Sequence, residues 1–214
     1  NNICLSQIST KAGMPKKYLD KMLDGHRGLL MENINYWWVT TPQQQMIRTL
    51  DGVARAFLSD KYKRVDNDEL ARVVLPILLN NGYKVISCAI TDSRMSIKAV
   101  LPSLQREVTK GDVVEAGVMV TNSEVGLGSV NVSPFIHRLA CVNGMVVNDS
   151  RLHSRHLTAS QATIDGVYEV LSDEAKELDN RALLTKVRDV VLSTSDKVRF
   201  ENNVAKMTNA TEIK

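Results

Sequence analysis

An α+β fold, mainly an antiparallel sheet of hairpins with an N-terminal helical hairpin and C-terminal helices, follows from three observations. Turn dipeptides at Asp51-Gly52, Asp92-Ser93 and Asn143-Gly144 separate runs rich in β-forming residues. Apolar residues recur at helical spacing before residue 40 and after residue 158. Only one helical stretch crosses the strand-rich centre. The chain therefore divides into an N-terminal helical segment (1–40), a β-rich core (41–157) and a C-terminal helical segment (158–214), expected to form one compact unit.

In residues 5–24, two short helices flank a turn at Gly13. Leu5, Ile8 and Ala12 share a face of the first. Pro15 suits the first turn of the second, where its missing N–H is not needed, and Tyr18, Leu19, Met22 and Leu23 form its apolar stripe. Lys16, Lys17 and Lys21 lie outside that stripe. The spacing fits either a helix-turn-helix that reads DNA or an αα-hairpin that only packs. Leu30, Ile34, Trp37 and Trp38 give residues 29–39 a further buried stripe, and Thr40-Thr41-Pro42 ends the helix.

Asp51-Gly52 favours a two-residue type I′ turn, which needs φ > 0 at both positions. Regular pairing from that turn sets Leu50 opposite Val53, Thr49 opposite Ala54 and Arg48 opposite Arg55. Two arginines directly opposed call for an anion between them, either a phosphate or a carboxylate of the chain itself. Lys61, Tyr62, Lys63 and Arg64 follow at once. Asp66 or Asn67 then caps a helix with Asp68 and Glu69 at its positive end; Pro76 kinks it and Asn81-Gly82 stops it.

Strands are expected at Tyr83–Thr91 and Arg94–Leu101. A polar connector containing Gly111 leads to Val113–Asn122, where Gly117 marks a bulge or a close approach. Gly126–Val132 and Phe135–Val142 read as two strands separated by Pro134, and Met145–Val147 as a short last one. From Thr158 the pattern turns helical, over Ala159–Leu171 and Asp173–Leu192, and ends in about twenty polar residues.

Of the 214 residues, 43% are hydrophobic and 24% charged, which excludes a wholly disordered chain; the net charge of +3 permits a polyanionic partner without demanding one. Cys4, Cys88 and Cys141 stand far apart in apolar runs and read as buried free thiols of a reducing compartment. No apolar run approaches the ~18 residues needed to span a bilayer, and no secretory signal is visible. A cytoplasmic protein is the expectation.

Catalytic signatures are missing. Gly126-Leu-Gly128 lacks the third glycine of a dinucleotide fingerprint, and no G-x-S-x-G elbow is present. Glu115 and Glu124 have no spacing that would pair them. His153 and His156 could share a helical face, but no third metal ligand accompanies them. No cofactor, metal or catalytic residue is assigned. Arg138, Arg151 and Arg155 make the same region basic.

GMPKKYLDKML with MENINYWW, then RTLDGVARAFLSDKYKRVDN, then NSEVGLGSVNVSPFIHRLACVNGMVV with SRLHSRH downstream, resemble the phage/plasmid-like family called domain of unknown function 932. The resemblance covers roughly residues 8–175, and its most specific string is L-D-G-x-A-R-A-F-L-S-D-x-Y-x-R. The tryptophan-rich helix end and the short polar tail depart from the family pattern, and the start lacks its leading segment. The resemblance implies a protein of bacteriophages, plasmids or integrating elements, acting in the bacterial cytoplasm, and imports no activity. A basic sheet beside helices is also similar in outline to phage single-strand annealing proteins, which bind the backbone of single-stranded DNA and assemble into rings.

The leading expectation is thus a non-enzymatic single-stranded nucleic-acid-binding or strand-annealing protein that forms homo-oligomers and does not enter membranes. Arg48, Arg55, Lys61, Lys63 and Arg64 would contact phosphates, Arg138, Arg151 and Arg155 would extend the track, and Tyr62 would stack on a base. The alternative is a structural or interaction protein, an assembly factor or host-defence antagonist, whose arginines are neutralised by its own carboxylates.

Overall fold

The computed structural model describes residues 2–40, 42, 44–60, 62–139, 145–146, 152–154 and 173–212. Lys61, Cys141, the Asn143-Gly144 turn, Arg151, Arg155, His156 and the helix expected over 159–171 lie outside the described residues. The chain forms two compact units. One comprises Asn1–Tyr62 with Val125–Leu127, and the other Lys63–Glu124 with Gly128–Lys214.

Unit 1 begins with α1 (Asn2–Lys11), α2 (Lys16–Gly25) and α3 (Arg27–Thr40). Gly13 turns the chain at φ +66°, and Pro15 stands at the N-cap of α2. Leu19, Met22, Leu30 and Ile34 are buried together, with Leu5, Ile8, Met14, Leu23 and Trp38 packed around them. Two aromatic residues expected in this core are instead exposed: Tyr18 and Trp37. A helix gives its core only a stripe, and Leu30, Ile34 and Trp38 already fill that of α3.

The hairpin of β1 (Gln45–Leu50) and β2 (Val53–Ser59) turns on Asp51 and Gly52, at φ 51° and 75°, as a type I′ turn requires. Its register differs from regular pairing. Leu50 faces Val53 and Thr49 faces Ala54, but Arg48 faces Ala56, Ile47 faces Phe57 and Met46 faces Leu58. Arg55 is the extra residue of a β-bulge, so Arg48 is in register with Ala56 rather than with Arg55. Met46, Ala56 and Leu58 lie in a cluster with Ile3, Tyr62 and Val125, while Phe57 stacks on Trp38 at 5.0 Å between ring centres. Gln7 ties α1 to this hairpin: its Oε1 accepts from the Phe57 N–H at 2.8 Å, and its Nε2 donates to the Val125 carbonyl at 2.7 Å.

Unit 2 starts with α4 (Asn67–Asn80), which runs through Pro76, and then β3 (Lys84–Ile90) and β4 (Met95–Thr109). β5 (Asp112–Asn122), β6 (Val130–Arg138) and the short β7 (Met145–Val146) complete the order β3-β4-β5-β6-β7, with β8 (Leu152–Ser154) also paired to β6. All of these pairings are antiparallel. The expected polar connector is mostly strand. β4 continues past Pro102 to Thr109 by taking a register shift between Leu101 and Gln105, and only Lys110-Gly111 turns the chain. Nor does Pro134 divide two strands. It lies inside β6 opposite Val118, between the stretches paired by β7 and β8, a position where its missing N–H costs the ladder little.

α5 (Asp173–Ser193) and α6 (Lys197–Glu212) complete the unit. Leu70, Val74 and Leu78 of α4, with Leu183, Val187 and Val191 of α5, cover Met95, Ile97, Ala99, Val118, Val120, Val130 and Val132 of the sheet. Phe200 and Val204 of α6 cover Val108, Val114, Ala116 and Ile136. The supposed polar tail is therefore a helix, and its Phe200 and Val204 belong to the core. Gly117 leaves the room into which Phe135 packs: a Cβ there would stand 2.5 Å from the ring.

Candidate nucleic-acid interface

The residues expected to contact phosphate fall into both units. In unit 1, Arg48 and Arg55 are half-buried on the bulged hairpin. Tyr62, expected to offer a free ring, is 8% exposed and packed with Ala56, Leu58 and Val125, which leaves no face for a base.

Three candidates of unit 2 meet carboxylates of the same unit. Lys63 is nearly buried, with Nζ 2.6 Å from Asp179 Oδ2 and donating to the Asp179 carbonyl at 3.0 Å. Arg64 is exposed and grips Asp66, its Nη2 2.7 Å and its Nε 2.9 Å from Oδ2. Arg138 Nε stands 3.0 Å from Asp112 Oδ1. A phosphate would have to displace these partners, and for Lys63 also reach a nearly buried ammonium. Lys63 and Arg138 are in this structure ion-pair residues of the fold.

The acidic residues resolve in the same way. Asp66 is the N-cap of α4 by position, but the capping hydrogen bond comes from Glu124, whose Oε1 accepts from the Asn67 N–H at 2.8 Å. Asn122 braces the site by donating from Nδ2 to the Val65 carbonyl at 3.0 Å and to Asn67 Oδ1 at 2.9 Å. Glu115 is buried opposite His137, with 3.6 Å between Oε2 and Nδ1, too long for a hydrogen bond. His153 lies in a strand rather than a helix. Among the described residues no three His, Cys, Asp or Glu side chains could hold a metal ion together.

Cys4 is buried, and that burial raises its thiol pKa. Cys88 is exposed on β3, against the expectation of a buried thiol. Among the described residues no helix is long and apolar enough to cross a membrane.

Sequence reading missed the distribution of charge. Residues 1–62 contain eight Lys and Arg against five Asp and Glu, and residues 125–127 contain none. The remaining chain holds nineteen of each, so the formal net charge of +3 belongs wholly to unit 1. Within unit 1, Lys17 and Lys21 are exposed on α2 beside Tyr18, while Lys16 is paired with Asp20. Tyr36 and Trp37 of α3 are 64% and 57% exposed and meet edge to face at 5.4 Å. The signal was present in the residue count, but it needed the boundary between the units to become visible.

A family described as "Domain of unknown function (DUF932)" matches residues 55–212, so the chain belongs to that family. The match leaves α1, α2, α3 and β1 outside it. No curated protein and no solved structure shows a significant similarity to the chain.

Proposed function

We propose that this DUF932 protein is a phage- or plasmid-encoded single-stranded nucleic-acid-binding or strand-annealing protein of the bacterial cytoplasm, with no catalytic step of its own. The reading rests on one observation: unit 1 carries all of the net positive charge and also exposes Tyr18, Tyr36 and Trp37. Sequence-independent binding of single strands needs both ingredients, cations for the backbone and aromatic faces for the bases. Arg48 and Arg55 on the hairpin, with Lys17 and Lys21 on α2, are the phosphate contacts in this reading.

Fluorescence anisotropy with a labelled oligonucleotide at two salt concentrations tests it. Affinity should fall steeply with salt, and Arg48→Ala/Arg55→Ala should weaken binding about tenfold and lower the salt slope by about two. Salt-insensitive binding, absent binding or normal binding by the double variant refutes the proposal.

A second reading is favoured by the carboxylates beside Lys63, Arg64 and Arg138: a structural or interaction protein of a mobile element, using neither unit on nucleic acid. Retrieval of one defined protein partner by the purified chain, together with no oligonucleotide binding at low salt, would select it.

A further inference from the structure

We infer that α1, α2 and the turn between them form a helix-turn-helix that reads a defined base sequence in double-stranded DNA, with α2 in the major groove. Such a unit needs a short, fixed turn and a second helix that buries one face and leaves the other open. The turn is residues 12–15, with Gly13 at φ +66°. Ser9 is buried and locks it: its Oγ donates to the Met14 carbonyl at 2.5 Å, and its own carbonyl accepts from the Met14 N–H at 2.9 Å. Met14 packs on the cluster of Leu19, Met22, Leu30 and Ile34, so α2 gives Leu19 and Met22 to the core and α3 supports it from behind. Lys17, Asp20, Lys21 and Asp24 are all exposed, at the i, i+3, i+4, i+7 spacing of a single stripe on the opposite side of α2.

Charge identifies the occupant. Residues 11–27 hold five Lys and Arg against two Asp, and the rest of unit 1 holds three basic and three acidic residues. The surplus of three positive charges therefore lies in α2 and its two ends, where Lys11, Lys17, Lys21 and Arg27 are exposed. A helix with its side chains is about 10–12 Å across, and the major groove is about 12 Å wide. The mixed stripe favours base edges over phosphates alone. Aspartate repels phosphate, but in the groove it accepts from the cytosine amino group, while lysine donates to guanine O6 and N7. The family match begins at residue 55, so this reader lies outside the matched region. The inference goes beyond the proposed single-strand binding and does not require it.

Selection of a randomised duplex pool of about 20 base pairs on the full chain should enrich one site. Fluorescence anisotropy should find that duplex bound at least about a hundredfold more tightly than a shuffled duplex of the same composition. Lys21→Ala should weaken the enriched duplex about tenfold and the shuffled one less. Asp20→Ala should relax the preference at one base pair without weakening the shuffled duplex, because it removes a negative charge. Both side chains are exposed, so the circular dichroism spectrum should not change. No enriched site, equal binding of enriched and shuffled duplexes, or an unaltered preference in both variants refutes the inference. A chain that binds single strands without any duplex preference refutes this inference alone. One that prefers a duplex site but ignores single strands bears it out and refutes the single-strand proposal alone.

Discussion

The two units differ in their balance of charge. Unit 2 has equal numbers of acidic and basic residues, and the three candidate cations described there, Lys63, Arg64 and Arg138, each meet a carboxylate. Unit 1 has a surplus of three positive charges and exposes Tyr18, Tyr36 and Trp37. A basic residue next to a strand is therefore a poor guide to function by itself. What matters is whether the fold has already supplied its counter-charge, which is the case for Lys63 and Arg138. In the proposed function, unit 2 is the scaffold and unit 1 the contact surface.

Core substitutions in unit 2 should have the largest effects. Phe135→Ala removes the ring that fills the space over Gly117, and urea unfolding should show a loss of about 3–5 kcal/mol. Gly117→Ala tests the same packing from the other side. Its added Cβ would stand 2.5 Å from the Phe135 ring, and a loss of about 1–3 kcal/mol is expected, against no change if the ring simply swings aside.

Trp37→Ala sharpens the contrast from unit 1. Because the indole is exposed, thermal stability should stay within about 0.5 kcal/mol of wild type. Oligonucleotide binding should nonetheless weaken by about 1–3 kcal/mol if the ring stacks on a base. Loss of stability without loss of binding would place Trp37 with the core after all. Lys63→Met should do the reverse, costing about 1 kcal/mol of stability through the Asp179 contacts while leaving oligonucleotide affinity unchanged. If its binding fell as far as that of Arg48→Ala/Arg55→Ala, the division of labour between the units would be wrong.

The smallest effect concerns pH. Burial raises the Tyr83 phenol above its ordinary value of 10.0, against the weaker opposing effect of its 2.8 Å hydrogen bond with Thr194. Because the folded pKa is the higher one, this contribution is intact below about pH 10 and is lost as pH rises through the folded value. Tyr83→Phe should cost about 1 kcal/mol at neutral pH and flatten the alkaline decline in stability. An unchanged alkaline limb would show that other groups cause it.

Local chemistry was legible in residue order. Asp51-Gly52 announced its turn because few residues other than glycine and aspartate accept positive φ, and Gly13 and Gly82 marked helix ends for the same reason. A glycine inside a strand such as Gly117 marks a bulge or a close approach, and the Phe135 ring makes it the second. Features that needed neighbours were not legible. The Arg55 bulge, the long β4 and the passage of Pro134 through β6 each depend on what a partner strand offers. The last helix looks polar in sequence because Phe200 and Val204, which it gives to the core, stand among many hydrophilic residues.

By itself, then, the sequence determined the α+β class, the positions of most helices and hairpins, and membership of the family. These depend on periodicity and turn residues within a few positions of one another. Only the tertiary structure decided which charges meet. Lys63 finds Asp179, Arg138 finds Asp112, and the Asn67 N–H finds Glu124 across 57 residues. Coulomb attraction and hydrogen bonding act over a few ångströms of space and take no account of separation along the chain, so the partner of a charge is known only once the chain has folded.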